Sequence, residues 1–269
     1  MSAHAACAYL EPVRAIAADA GKRILEVYRR DFDVTHKHDD SPLTEADRLA
    51  HELIVARLHA LTPDLPVLSE ESASADYAAR ASWERFWLVD PLDGTREFVS
   101  RNDEFTVNIA LIEHDRPVLG VVLSPVLGDT YFACQGQRAF LQRPQCQPEP
   151  IHARRFNGGR PTVLTSRSHP GKGTEAFLKS LGDCEVVRMG SSLKLCLIAA
   201  GAADVYVRLG PTMEWDTAAA QCIVETAGGR ITDRQHRPLR YNKTDLHNPH
   251  FIVSGAGDYD WIRHVPPSE

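Results

Sequence analysis

The segment Trp87-Leu-Val-Asp-Pro-Leu-Asp-Gly-Thr-Arg-Glu-Phe98 constrains this chain more than any other. The apolar run Phe86 to Val89 calls for burial as a strand, then meets Asp90, Pro91, Asp93 and Gly94 in quick succession. Pro91 fixes one φ and donates no hydrogen bond, so a stiff turn must follow the strand. Asp90 and Asp93 offer oxygen ligands to a hard cation, and the backbone N–H groups at Gly94 and Thr95 can face an anion. Asp, Pro and Gly are also the ordinary residues of a strand-to-turn junction. The tetrapeptide Asp-Pro-Leu-Asp alone therefore leaves both readings open.

Two further acidic segments bear on the choice. Leu65-Pro-Val-Leu-Ser-Glu-Glu71 predicts a short buried strand over Pro66 to Leu68, with Glu70 and Glu71 just past its end. In Glu214-Trp-Asp-Thr-Ala-Ala219, Asp216 opens an apolar-periodic helix that runs to Ala227 and stops at Gly228-Gly229. Taken singly, Asp216 reads as an N-cap and Glu70 as a solvated loop acid.

The remaining pattern is one of helices and strands in alternation. Val13, Ile16, Ala20, Ile24 and Val27 predict an amphipathic helix to about Arg30, and Leu49, Leu53, Ile54, Leu58 and Leu61 predict a second. Ser41-Pro42 and Thr44 mark the start of that second helix, with Thr44 as N-cap and Asp47 in a first turn that favours acids. Strands are expected at 86–89, 106–112, 118–123, 130–133, 162–165, 185–188, 204–208, near 230–232 and at 251–253, with helices at 174–181 and 192–200. The polar, proline-bearing stretch Gln142 to Pro150 suggests a boundary between an N-terminal lobe (1–150) and a C-terminal lobe (151–269), packed as one catalytic unit. Such alternation implies layers of helix and sheet, an α/β architecture.

Composition narrows the class. A chain of 269 residues with 43% hydrophobic and 25% charged residues can bury a large core. A net charge of −6 argues against a general nucleic-acid binder, and no segment approaches the ~18 apolar residues of a bilayer span. The start of the chain lacks a signal-peptide pattern. Cys7, Cys134, Cys146, Cys184, Cys196 and Cys222 show no paired spacing, which predicts reduced thiols rather than a disulfide framework or a zinc site. Gly171-Lys-Gly-Thr174 lacks the first glycine of a nucleotide loop, and no Gly-x-Ser-x-Gly elbow is present. His36, His38, Asp39 and Asp40 read as a solvated turn rather than a metal cluster.

Together the three acidic segments resemble the lithium-sensitive, magnesium-dependent phosphatase superfamily that includes inositol monophosphatase and fructose 1,6-bisphosphatase. Its pattern is an acid pair after a strand, then Asp-Pro-hydrophobic-Asp-Gly-Thr, then Trp-Asp-x-Ala at a helix start, and all three occur here in that order. The likeness covers nearly the whole chain and is strongest to the bacterial 3′(2′),5′-bisphosphate nucleotidases. Asp39-Asp40-Ser-Pro-Leu-Thr-Glu-Ala-Asp47, Pro66 to Glu71, Asp93 to Phe98, Glu104-Phe-Thr-Val-Asn-Ile-Ala-Leu111, Ser166-Arg-Ser-His169 and Gly190-Ser-Ser-Leu-Lys194 carry it. Arg96 stands where a lysine is usual and keeps the charge.

The resemblance implies a layered α/β (α+β) sandwich of alternating helices and mixed sheets. It implies Mg2+, two or three ions, with inhibition by Li+. Glu70, Asp90 and the Leu92 carbonyl would share one ion, and Asp90, Asp93 and Asp216 a second, so that Asp90 bridges. Four such acids would repel one another without metal, leaving a loose site that cation binding orders. Thr95, hydrogen-bonded to Asp47, would orient the attacking water and pass its proton to Asp47. The Gly94 and Thr95 amides would hold the scissile phosphate, and a side chain at Gly94 would crowd it.

The substrate-facing set implied is Glu70, Leu92, Asp93, Gly94, Thr95 and Asp216, joined by Ser191, Ser192 and Lys194. Those two serines and the lysine suit helix capping and surface solvation equally well, and Arg167 and Arg208 are weaker candidates. The expected reaction removes the 3′-phosphate of adenosine 3′,5′-bisphosphate to give AMP, and acts likewise on the 5′-phosphosulfate analogue, within sulfate assimilation. An inositol or fructose phosphate is the alternative substrate, and a catalytically silent nucleotide-sensing protein the alternative class. The partner implied is a small nucleotide bisphosphate, with no nucleic acid and no integral membrane segment. The oligomeric state stays open, and the protein is expected in the cytoplasm, with peripheral association at the inner membrane undecided.

Overall fold

A computed structural model describes residues 6–36, 42–72, 76–167 and 171–267. Helix α1 (Leu10–Tyr28) is followed by the two-stranded ribbon β1 (Val34–His36) and β2 (Pro42–Thr44), then by α2 (Glu45–Leu61). Next come β3 (Val67–Ser69), a 3-10 turn at Glu70–Ser72, the short α3 (Tyr77–Arg80), β4 (Arg85–Asp93) and α4 (Thr95–Val99). Strands β5 (Thr106–Glu113), β6 (Arg116–Leu123), β7 (Thr130–Cys134), β8 (Ala139–Gln142) and β9 (Glu149–Ile151) follow in succession. The chain continues through β10 (Thr162–Ser166), α5 (Lys172–Leu181), β11 (Glu185–Met189), α6 (Leu193–Ala199) and β12 (Val205–Arg208). It closes with α7 (Glu214–Thr226), β13 (Arg230–Asp233), β14 (Phe251–Ser254) and a 3-10 turn at Ile262–His264.

Strands β3 to β9 form one seven-stranded sheet in sequence order, parallel only at β3–β4. Sequential antiparallel hairpins explain that order, since tight turns join neighbours. The second sheet has five strands in the order β11-β10-β12-β14-β13 and is mixed.

Side-chain alternation sorts the first sheet into two faces. Trp87, Val89, Val107, Ile109 and Leu111 pack in one core cluster with Val13, Ile24, Ile54 and Leu58 of α1 and α2. Leu88, Ala110, Ile112 and Val122 point the other way, into a cluster with Ala218, Cys222 and Ile223 of α7 and with Leu164 and Val253 of the second sheet. Val163, Val205 and Ile252 on the far face of that second sheet meet Phe177 of α5. The result is five alternating layers, with α6 and α7 enclosed between the two sheets. Gly120 shows how close this packing is: a Cβ there would stand 2.2 Å from the Ala219 carbonyl oxygen.

The Gln142 to Pro150 stretch turns β8 back onto β9, with Leu141 opposite Glu149. Short elements such as β1, β2, β8, β9, α3 and α4 carry too few residues for a period to show in sequence. The expected turn at His38, Asp39 and Asp40, and Ser168 and His169, lie outside the described residues.

The expectation of reduced thiols throughout is overturned at one pair. Cys7 and Cys134 are joined in a disulfide, with Cα atoms 5.5 Å apart across a sequence separation of 127. Packing of α1 over the seven-stranded sheet brings them together, and spacing in the sequence carries no trace of it. Cys196 and Cys222 are free and buried, and Cys146 is free and exposed. Among the described residues, no helix is long and apolar enough to cross a membrane.

Candidate metal-dependent active site

Asp90 and Asp93 stand at an odd spacing, which would place them on opposite faces of a regular strand. Asp90 pairs with Asn108 and Asp93 with Thr106, so three steps on β4 oppose two on β5. This bulge, at the Pro91 that cannot join the ladder, returns both carboxylates to one face. A third acid, Asp216, arrives from α7. The carboxylate oxygens of Asp90, Asp93 and Asp216 can all lie within 4.8 Å of one another.

Asp216 is the third residue of α7, not its N-cap. The N-cap is Met213, and the Asp216 carboxylate accepts a hydrogen bond from its N–H at 2.8 Å. The helix also begins two residues earlier than expected because Glu214, fully buried, accepts from the Asn242 and Lys243 amides and the Lys243 ammonium. Burial pushes the Asp216 carboxyl well above the ordinary carboxylate range, with further upward pressure from Asp93 and then Glu70. Glu70, in the 3-10 turn beyond β3, contributes to that upward shift but is not among the three acids whose ligand atoms lie within 4.8 Å of one another. Converging, partly desolvated hard-oxygen donors are what a divalent cation such as magnesium takes. The cluster can hold a metal ion.

Thr95 opens α4 directly after Gly94, whose φ of +93° is a conformation that glycine adopts without strain. A Cβ at Gly94 would meet the protein itself, lying 3.2 Å from the Glu104 carbonyl oxygen and 3.4 Å from Ser191 Cβ. The Thr95 hydroxyl donates to Asp47 Oδ1 at 3.2 Å and lies 3.4 Å from the Leu92 carbonyl. Asp47 is 1% exposed, and its Oδ2 accepts from the Thr44 N–H at 2.8 Å and the Thr44 hydroxyl at 2.6 Å. Thr44 is the N-cap that the sequence suggested, and Asp47 closes its capping box while also reaching Thr95. Leu92 donates its N–H to Asp90 Oδ1 at 3.1 Å.

Gly190, Ser191 and Ser192, between β11 and α6, complete the site. Ser191 has φ +45°, and a Cβ on Gly190 would stand 2.6 Å from Glu97 Cγ. Ser192 donates its N–H to Asp93 Oδ2 at 2.6 Å, and its hydroxyl contacts the same oxygen. The buried Lys194 ammonium donates to the carbonyls of Ser191 at 2.6 Å and Met189 at 3.2 Å. Burial lowers its pKa to about 8. Arg167 forms a two-pronged pair with Glu104 at 2.6 and 2.5 Å. Arg208 donates to the Pro211 carbonyl at 2.7 Å, while its buried Nε has no partner among the described residues.

A cavity of about 140 Å³ is lined by Asp93, Gly94, Ser191, Lys194 and Asp216. A larger groove of about 570 Å³ adjoins it, sharing Ser166, Tyr206 and Arg208 and adding Arg96, Thr174 and Leu209. Sequence reasoning assigned no role to Thr106 and Asn108, which face Asp93, nor to Glu104, which accepts from the Gly190 N–H at 2.7 Å. Their signal was polar residues at period two (104, 106, 108), leading into and along an otherwise apolar strand.

Residues 8–260 match the sequence profile of the inositol monophosphatase family. The chain is 45% identical over 248 residues to the 3′(2′),5′-bisphosphate nucleotidase CysQ of Escherichia coli K12, covering 91% of this chain and 99% of the relative. It is 38% identical to the CysQ nucleotidase of Haemophilus influenzae over 255 residues, 94% of each chain. The crystal structure of CysQ from Bacteroides thetaiotaomicron superposes with a TM-score of 0.80 at 40% identity, covering 93% of this chain and 99% of the other. The fold, the acid cluster and these likenesses place the chain in the inositol monophosphatase family.

Proposed function

We propose that this protein is a magnesium-dependent 3′(2′),5′-bisphosphate nucleotidase that removes the 3′-phosphate of adenosine 3′,5′-bisphosphate, giving AMP and phosphate. It would act likewise on the 5′-phosphosulfate analogue. The observation that carries this reading is the meeting of Asp90, Asp93 and Asp216, from both lobes, beside a groove of nucleoside size lined by Arg96 and Arg208. The nucleotidase relatives support the choice of substrate.

Glu70, Asp90, the Leu92 carbonyl, Asp93 and Asp216 would hold two or three magnesium ions, and lithium would compete for one of these positions. Bound magnesium supplies Lewis acidity for water activation and for the leaving oxygen. The chain's own part lies in placing water and phosphate. Thr95 orients the attacking water, and the proton passes to Asp47, the stronger base of the two. The Gly94 and Thr95 amides, at the left-handed turn that starts α4, would hold the scissile phosphate.

Ser191, Ser192 and Lys194 form the opposite wall of the cavity. The Ser192 N–H and the Lys194 ammonium already serve Asp93 and backbone carbonyls. Lys194 therefore acts on the substrate through its charge while it holds the loop. The two lobes function as one catalytic unit, since Asp216 and the loop come from the second and the other acids from the first.

Phosphate release with magnesium across adenosine 3′,5′-bisphosphate, its 5′-phosphosulfate analogue, inositol 1-phosphate and fructose 1,6-bisphosphate tests the reading. The highest kcat/KM is expected for the adenosine bisphosphate. Fastest turnover of inositol phosphate would overturn the substrate choice, and tight binding without turnover would make the protein a sensor.

A further inference from the structure

Strand β5 carries Asn108 where an apolar side chain would serve the fold better. The residue is 1% exposed, its neighbours Val107, Ile109 and Ala110 are fully buried, and its Oδ1 has no hydrogen-bond partner among the described residues. A buried, half-satisfied amide costs about 1–3 kcal/mol. Its Nδ2 shows what is gained. It donates to Ser192 Oγ at 2.8 Å and lies 3.4 Å from Asp93 Oδ2. A flipped amide would set Oδ1 against that carboxylate, so the acid itself fixes the orientation.

Ser192 relays this contact to both lobes. Its N–H donates to Asp93 Oδ2 at 2.6 Å, and its hydroxyl sits between that oxygen and the Asp216 carbonyl, 2.8 Å away. With the Asn108 amide donating to it, the hydroxyl keeps its one hydrogen for one of these two acceptors. Glu104 and Lys194 secure the rest of the loop, at the Gly190 N–H and at the carbonyls of Met189 and Ser191.

We propose that Asn108 is a positioning residue for the reaction: through Ser192 it ties Asp93, on the first sheet, to the start of α7, which carries Asp216. The proposal rests on the reading of the acid cluster as a cation site. Outer hydrogen bonds of this kind orient metal-binding carboxylates, and their loss typically weakens metal affinity or activity about 10–100-fold.

The test compares the wild type with Asn108→Leu, which keeps the volume and removes the amide, with Ser192→Ala, and with the double variant. Magnesium affinity is read by calorimetric titration of the protein alone, and kcat and KM are read at saturating magnesium. Each single variant is expected to bind magnesium about 10–100-fold more weakly, and in Asn108→Leu, at a position that does not line the substrate cavity, KM for the bisphosphate should be little changed. The double variant should be no worse than either single one, because both break the same link. Thr62→Val, which removes the buried hydrogen bond from Trp87 Nε1 at 2.8 Å in the same lobe, controls for general destabilisation and should leave magnesium affinity intact.

Wild-type affinity in a folded Asn108→Leu, or an equal loss in Thr62→Val, would overturn the proposal alone. Should Asn108→Leu fail to fold, wild-type affinity in Ser192→Ala would do the same. No magnesium binding by the wild type would remove the cation site and this proposal together.

Discussion

The Thr95 hydroxyl donates to Asp47 Oδ1 at 3.2 Å, while the other oxygen of Asp47 is held by Thr44 at the start of α2. One carboxylate therefore closes a helix cap and accepts from Thr95, the residue proposed to orient the attacking water.

The dual role separates two losses. Thr95→Ala is expected to lower kcat about 10²–10⁴-fold, the usual worth of general acid–base catalysis, with stability and KM nearly unchanged. Thr44→Ala should cost about 1 kcal/mol of stability through the cap and leave the Thr95 contact in place. Steady-state kinetics and denaturant unfolding measure the two effects. A Thr95→Ala effect confined to KM would mean that Thr95 only holds the substrate.

The acid cluster makes stability depend on pH and on metal. The folded chain keeps the Asp216 proton in a range where the unfolded chain has released it, so the folded state binds more protons there. Stability should then fall as pH rises from the ordinary carboxylate range through the raised value. In chelator, the Tm of the wild type is expected to drop across that window more steeply than that of Asp216→Asn. Magnesium should raise the wild-type Tm and have little effect on the variant. A steeper fall in the variant would contradict the cluster's electrostatics.

Much of this was legible in the residues. Asp-Pro-Leu-Asp-Gly-Thr announced a strand, a stiff turn and two acids, and the bulge at Pro91 is how that turn is made. The helical periods of α1 and α2 and the N-cap at Thr44 stand close to where they were expected. What spacing could not show was tertiary. The first turn of α7 depends on Glu214, whose partners lie 28 and 29 residues further on. The grip of Ser192 on Asp93 spans 99 residues, and the Cys7–Cys134 bond 127. Asn108 was visible as a polar residue in a buried strand, but its partner was not.

That disulfide leads to a prediction about stability without function. Cys134 lies opposite Leu119, which lies opposite Leu111, which lies opposite Trp87, toward the start of β4 and away from Asp90 and Asp93. Cys7→Ser, or full reduction, should cost roughly 2–4 kcal/mol in denaturant unfolding and leave kcat and KM unchanged. Loss of activity at unchanged stability would contradict this arrangement.

The most direct measurement is AMP formation from adenosine 3′,5′-bisphosphate, followed chromatographically while magnesium is titrated into metal-free protein, alongside Asp90→Asn. Turnover should be absent in chelator, rise and saturate with magnesium in the wild type, and stay at background in the variant at every concentration. Undiminished turnover in chelator, or wild-type turnover by Asp90→Asn, would contradict a cation cradle built from the acids of β4 and α7.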